Sequence, residues 1–165
     1  MSARSLVCHT LPTPLGSLWL AASDQGLCGA WFEGQKDFPD TRDWHSAPSH
    51  SVLQQAAQQL REYFAGQRRR FDVPLYFAWG TPFQQTVWRA LLAVAYGQTC
   101  SYSDIARQAQ RPQAVRAVGG AIGKNPISIL VPCHRVVGRN GALTGYTGGL
   151  DRKRALLALE QDHRA

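Results

Sequence analysis

The residues best equipped for chemistry stand together at Pro132-Cys133-His134-Arg135. A thiol is a strong nucleophile only as the thiolate, and a neighbouring cation or proton acceptor lowers its pKa. Here an imidazole and a guanidinium follow the cysteine directly. Taken alone, Cys133 fits the commoner role better, that of a small buried hydrophobe. The apolar run Ile127-Ser128-Ile129-Leu130-Val131 ahead of it reads as a buried strand or its end, which Pro132 stops. The remaining cysteines, Cys8, Cys28 and Cys100, are scattered and form no C-x-x-C pair. That spacing is poor evidence for a disulfide framework or a tetrahedral zinc site, with Cys8-His9 and Cys28 left open as contributors to a metal site.

Charge separates the chain into two halves. The 165 residues carry a formal net charge of +7. Residues 1–80 hold seven Lys/Arg against seven Asp/Glu, whereas residues 81–165 hold eleven against four. A neutral half joined to a basic one points to a polyanion for the second, most simply nucleic acid; a merely soluble basic surface stays open beside it. No signal peptide or long apolar stretch is read, and a reducing, intracellular compartment is expected.

The elements that must position these groups can be read from period and punctuation. Residues 5–32 read as antiparallel strands turning at Ser23-Asp24-Gln25-Gly26, and residues 33–49 read as a loop. From Val52, Leu53, Ala56/Ala57, Leu60 and Tyr63/Phe64 line one helical face, with Gly66 placed to end the helix. Arg68-Arg69-Arg70 reads as solvated surface. Thr81-Pro82 starts a second helix, Thr as N-cap and Pro at the first helical position, carrying Phe83, Val87, Leu91 and Val94 and ending at Tyr96-Gly97.

A helix–turn–helix pattern follows. Ser101 or Ser103 caps a short helix with Ile105, Ala106 and Ala109; Gln110-Arg111-Pro112 turns the chain; a second helix runs from about Gln113 to Gly123. Ala114, Ala117, Gly119, Gly120, Ala121 and Gly123 leave that helix almost without bulk. Each interior glycine costs on the order of 1 kcal/mol against alanine, a cost that signals close approach, either by another helix or by nucleic acid. Arg116 is the one long side chain in its N-terminal half, the part that faces the groove in such motifs. Thr144 to Gly149 reads as a loop lining a site. Asp151 caps a last helix with Leu156, Leu157 and Leu159 on its apolar side, ending near Glu160. Arg152-Lys153-Arg154 in its first turn oppose the helix dipole and read as placed for a partner.

Ser101-Tyr102, Arg116-Ala117-Val118-Gly119, Asn125-Pro126, Val131-Pro132-Cys133-His134-Arg135-Val136 and Gly145-Tyr146-Thr147-Gly148-Gly149 to Glu160, in this order along the chain, resemble the O6-alkylguanine-DNA alkyltransferases. The match is dense from about Thr81 to Glu160 and loose before it, through Pro14-Leu15-Gly16 and Arg61 to Gly66. The resemblance implies direct-reversal DNA repair: irreversible transfer of a methyl or larger alkyl group from guanine O6, and from thymine O4, to Cys133, with no metal or cofactor required. A base inside a duplex hides its O6, so the nucleotide must be flipped out. Glu160 and His134, acting through a water, would withdraw the thiol proton. Asn125 would pin the turn before the cysteine loop, and Tyr102 would crowd the target phosphate and protonate the leaving guanine. Tyr146, Thr147, Gly148 and Ser128 would wall the pocket, with the main chain of Cys133 and Val136 reading the exocyclic amine. Arg116 would enter the base stack, and Ala114, Ala117 and Gly119 would sit in the minor groove of double-stranded DNA. Lys124, Arg135 and Arg152 to Arg154 would meet phosphates.

The fold expected is α/β (α+β). A small antiparallel sheet-plus-helix domain, residues 1–80, packs on a mainly helical domain, residues 81–165, with a winged-helix-like helix–turn–helix. The protein would be a monomer, open to cooperative binding along DNA, without membrane attachment. It would be cytoplasmic and nucleoid-associated, or nuclear in a eukaryote. Gln110 departs from the family's turn glycine, Val115 from a common alanine and Ser128 from a proline that would narrow the pocket; zinc-site residues near the N-terminus of some relatives are not matched. Five residues follow Glu160, so no long regulatory tail is expected. A lesion-binding protein that flips without repairing is the alternative; such relatives carry tryptophan where this chain has Cys133. A Cys-His hydrolase would need His134 in direct reach of the thiol, and a plain helix–turn–helix regulator leaves Pro132 to Arg135 unexplained.

Overall fold

The computed structural model describes residues 6–164. The chain divides into two compact units, Met1–Ala78 and Trp79–Ala165.

In the first unit, β1 (Val7–Thr13), β2 (Gly16–Ser23) and β3 (Gly26–Phe32) form an antiparallel meander, in the order β3-β2-β1. The turn between β2 and β3 falls where Asp and Gly announce it; the Gln25 amide donates to Ser23 Oγ at 3.1 Å. Gly26 adopts φ +145°, and a Cβ there would lie 2.7 Å from Pro74 O, so no other residue fits. The 33–49 loop contributes one short strand that the sequence reading lacks, β4 (His45–Ser46), parallel to β1. Helix α1 (Ser51–Phe64) buries Leu53, Ala56, Ala57, Leu60 and Tyr63 against the sheet, the stripe its 3.6-residue period requires. It ends at Gly66, φ +77°, with Gln67 N donating to Glu62 O at 2.8 Å and Gly66 N to Tyr63 O at 3.0 Å. Arg68 is not simply solvated: its Nε donates to Glu62 Oε1 at 2.7 Å.

The second unit is mainly helical. Helix α2 (Pro82–Leu91) opens with a capping box in which Thr81 Oγ1 accepts from Gln84 N (3.1 Å) and Gln84 Oε1 from Thr81 N (2.9 Å). It stops short of Tyr96: the amides of Leu92, Ala93 and Val94 reach back three residues rather than four, which tightens the chain out of the α-helix. Next come β5 (Cys100–Ser101) and α3 (Tyr102–Gln108), capped by Ser101 with Asp104 completing the box, so Ser101 and not Ser103 is the cap. Helix α4 (Val115–Gly123) starts two residues later than the pattern suggests, with Ala114 as its N-cap. Helices α2, α3 and α4 pack on one another, and Trp88 Nε1 donates to Ala121 O at 2.7 Å. Strand β6 (Val136–Val137) pairs with β5 in parallel. That pair is not the antiparallel hairpin of a wing, so the winged-helix detail is not seen. Helix α5 (Leu150–Asp162) closes the unit, its N-cap Gly149 rather than Asp151, whose carboxylate pairs with Arg154.

Candidate active site

The segment ahead of the cysteine is not a strand. Asn125 replaces ladder partners with its own side chain: Oδ1 accepts from Ile127 N at 3.0 Å and Nδ2 donates to Val131 O at 2.9 Å. Inside that clasp, Val131 N donates to Ile127 O (3.0 Å) and Leu130 N to Ser128 O (2.9 Å), so the chain reverses within five residues. Ile129 sits at the centre of a γ-turn with φ +74°. A β-branched residue there is strained, by about 1–3 kcal/mol, and persists only where surroundings over-determine it. Ile129 is buried at 1% exposure, and Asn125 holds both ends of its loop. A second, inverse γ-turn follows at Pro132 (φ −82°, ψ 62°), with Cys133 N donating to Val131 O at 2.8 Å. Two turns of opposite hand deliver Cys133 to the head of a single 3-10 turn, Cys133–Arg135.

That turn meets α5. Glu160 is 1% exposed and is held by His134 Nε2 on Oε2 (2.7 Å), Arg135 Nε on Oε1 (2.8 Å) and Arg135 Nη2 on Oε2 (3.0 Å). Burial pushes the carboxyl up, but the hydrogen bonds from His134 and Arg135 and their charges outweigh it and hold the group down at about 2. Burial lowers His134 below its ordinary 6.5, with Glu160 opposing, so the imidazole is neutral at pH 7. An ionised carboxylate only accepts, so Nε2 carries the proton and Nδ1 the lone pair. Among the described residues Nδ1 is buried without a hydrogen-bond partner, in the same turn as the thiol. The site therefore holds a neutral imidazole, fixed in one tautomer by a carboxylate, in the residue that follows a thiol. Burial raises the Cys133 thiol above its ordinary value, opposed by the Asn125 side chain and the Lys153 charge, so the resting sulfur keeps its proton.

Arg135 departs from its expected place at a phosphate. It is buried, its Nη1 donates to Val94 O at 2.7 Å, and its guanidinium lies over the Tyr96 ring. It ties the segment after α2 to Glu160 and, with His134, keeps that carboxylate ionised. Lys153, also expected to meet a partner, points inward at 1% exposure and donates from Nζ to Thr144 O at 3.1 Å. Its neighbours divide: Arg152 donates to Gly148 O, and Arg154 pairs with Asp151 on the surface. The inward placement of Lys153 is what sequence reasoning missed. The signal lay in register, since Lys153, Leu156 and Glu160 share one face of α5 and all three are buried.

One small cavity gathers Asn125, Ser128, Cys133, Tyr146, Thr147 and Gly148, with Ile122, Gly123 and Gly145. Val136 is not in this lining: it is buried in β6, and its amide donates to Cys133 O. Thr147 Oγ1 donates to Gly123 O at 2.6 Å, fastening the 144–149 loop to the end of α4. Gly148 is needed for shape, because a Cβ there would come within 2.6 Å of the Tyr146 ring. Among the described residues no three His, Cys, Asp or Glu side chains are placed to hold a metal ion.

On the outer face of α4, Arg116, Ala117, Gly120, Gly123 and the following Lys124 are exposed, while Val118, Ala121 and Ile122 pack inward. Ala114 and Gly119 are half-buried, and Gly119 faces the Tyr102 ring. A Cβ at Gly120 would meet nothing within 4 Å, so helix packing does not explain that glycine.

Two family models match the chain: the 6-O-methylguanine DNA methyltransferase ribonuclease-like domain over residues 6–77, and the DNA binding domain of the same name over residues 82–162. The methylated-DNA--protein-cysteine methyltransferase of Mycolicibacterium paratuberculosis is 48% identical over 155 residues, 94% of this chain and 92% of that protein. The crystal structure of Mycobacterium tuberculosis O6-methylguanine methyltransferase superposes with a TM-score of 0.88 at 47% identity, covering 96% of this chain and 94% of that one. That of Mycobacterium tuberculosis OGT in complex with DNA gives 0.86 at 47% identity, covering 93% and 92%. On sequence along nearly its whole length and on fold, the chain belongs to the 6-O-methylguanine DNA methyltransferase family.

Proposed function

We propose that this chain repairs DNA by direct reversal, taking the alkyl group of O6-alkylguanine onto Cys133 in one irreversible step. The observation that carries this reading is the Glu160–His134 contact of 2.7 Å, which leaves His134 Nδ1 as a buried lone pair in the residue next to Cys133. His134, through a water, takes the thiol proton. The sulfur attacks the alkyl carbon in line, the carbon–O6 bond breaks with its electron pair going to oxygen, and the leaving guanine takes a proton from Tyr102. A thioether is a poor leaving group, so each molecule acts once. O4-alkylthymine presents the same alkyl–oxygen bond and is a second substrate.

The duplex side of the reading rests on α4. Its exposed small residues fit the minor groove, where a bulky helix would not, and Arg116 fills the stack vacated by the flipped nucleotide. Ala114, Ala117 and Gly119 line the approach, and Lys124 meets phosphate. Tyr146, Thr147, Gly148 and Ser128 enclose the flipped base with Cys133. In this reading residues 1–80 form a structural domain and residues 81–165 do the binding and transfer. The protein works as a monomer on DNA in the cytoplasm, at the nucleoid; among the described residues no helix is long and apolar enough to cross a membrane.

The test is intact-protein mass after mixing with an oligonucleotide holding one O6-methylguanine, beside Cys133→Ala. The expected result is a gain of one methyl on the wild type alone, mapped to Cys133 and stopping at one per molecule. Tight, lesion-selective binding without mass gain would make the protein a sensor instead.

A further inference from the structure

Thr144 joins two groups of the site, one through its side chain and one through its main chain. Its hydroxyl shares a 2.7 Å hydrogen bond with the Tyr102 phenol, and its carbonyl accepts from buried Lys153 Nζ at 3.1 Å. Its own place is fixed from behind: a Cβ at Gly138 would lie 2.9 Å from Thr144 Cγ2, so the methyl is wedged against backbone. The Tyr102 ring is half-buried and lies over Gly119 of α4, where a Cβ would stand 3.6 Å from Cδ1. The phenol is thus held along its edge by α4 and at its oxygen by Thr144.

We propose that Thr144 is a positioning residue for Tyr102, presetting the phenol for the duplex and so setting the rate of transfer from DNA. The inference rests on the reading above, in which Tyr102 meets the target nucleotide. A phenol on a half-exposed ring must otherwise be ordered at each encounter, and a single hydrogen bond of ordinary strength accounts for about a two- to tenfold change in rate. The Thr144 hydroxyl does not touch the thiol, so reactions of Cys133 that need no DNA are indifferent to it.

The experiment measures single-turnover methyl transfer from an O6-methylguanine duplex for the wild type, Thr144→Val, Thr144→Ser, Tyr102→Phe and the double variant Tyr102→Phe/Thr144→Val. Alkylation of Cys133 by iodoacetamide without DNA is followed in parallel by peptide mass. Thr144→Val should slow transfer about fivefold, and Thr144→Ser should restore it. Iodoacetamide rates should stay equal, and Thr144→Val should add nothing on top of Tyr102→Phe. The proposal is overturned if Thr144→Val matches the wild type on the duplex, if it slows both reactions alike, or if it slows Tyr102→Phe by its full factor. A wild type that transfers no methyl overturns the repair reading itself, and this inference with it.

Discussion

Helices α4 and α5 break the ordinary amphipathic rule in opposite directions. Helix α4 is apolar and glycine-rich, yet it turns Arg116, Ala117, Gly120 and Gly123 to solvent. Helix α5 is rich in charge, yet it buries Lys153 and Glu160 on one face with Leu156. Neither arrangement favours stability, since exposed glycine costs backbone entropy and buried charge costs desolvation. On α4 the sacrifice leaves a smooth surface, a property of shape. On α5 it places an ionised carboxylate behind an imidazole and an ammonium near a thiol, a property of electrostatics. Substitutions should therefore uncouple binding from chemistry according to which helix they touch.

Glu160→Gln should have the largest effect. Removing the charge strands Arg135 in the interior, and breaking such a pair costs about 3–5 kcal/mol. The amide can also present its NH2 to His134 and lose the tautomer, slowing transfer at least a hundredfold on the order of general-base effects. Urea unfolding and single-turnover kinetics measure the two losses. pH sharpens the point. The folded Glu160 pKa of about 2 lies below its ordinary 4.5, so its contribution to stability is complete above 4.5 and is lost as pH falls through about 2. Glu160→Gln should lack that acid loss. Transfer by the wild type should hold down to pH 6.5 and fall only below it, because His134 is held under that value.

Lys153→Met tests the other buried charge on α5. Burial lowers the Lys153 pKa, so the native state gives up stability to keep the ammonium, and methionine of similar length should leave the melting temperature unchanged or raise it. The thiol loses a cation that opposes the effect of its burial, so iodoacetamide alkylation and methyl transfer at pH 7 should both slow, by about tenfold. A stability loss with unchanged thiol reactivity would reduce Lys153 to a clamp on Thr144.

Gly120→Leu makes the converse test on α4. The Cβ meets nothing within 4 Å, and leucine is the better helix former, so stability should rise by about 1 kcal/mol. Duplex affinity should fall about tenfold as bulk enters the contact face, while iodoacetamide reactivity stays put. Equal affinity would assign duplex binding to another surface.

The two helices also separate what the order of amino acids discloses from what only the folded chain decides. The missing bulk of α4 is a local property, visible in composition. So are the caps at Thr81 and Ser101, where a side chain serves its own helix start. Burial of Lys153 and Arg135 is decided by partners far along the chain, Thr144 and Glu160, and a charged residue in isolation looks solvated. The run 127–131 misleads for a related reason. Its apolar residues suit a strand, whereas the Asn125 side chain and two backbone bonds within the run turn the chain back on itself. The thiol, the imidazole and the carboxylate are legible as residue types in order, whereas Val136, expected to meet the base through its main chain, lies buried in β6 outside the cavity lining.

The smallest effect concerns the entrance to α4. Helix α3 ends as α1 does: Arg111 N reaches Ala106 O at 2.8 Å and Gln110 N reaches Arg107 O at 3.0 Å, the pattern made by Gln67 and Gly66 after α1. The residue in the left-handed region is Gly66 in one (φ +77°) and Gln110 in the other (φ +61°). A side chain there costs about 1–2 kcal/mol, and glycine gives back about 0.4–1 kcal/mol through the greater freedom of the unfolded chain. Gln110→Gly should therefore stabilise the protein by about 0.5–1 kcal/mol, and Gly66→Ala should destabilise it by about as much, both read as shifts in urea midpoint at constant slope. Gln110 is exposed and does not line the thiol cavity, so transfer rates should not change. If Gln110→Gly instead weakens duplex binding at unchanged or greater stability, the strain is holding α4 at the angle that its exposed face requires.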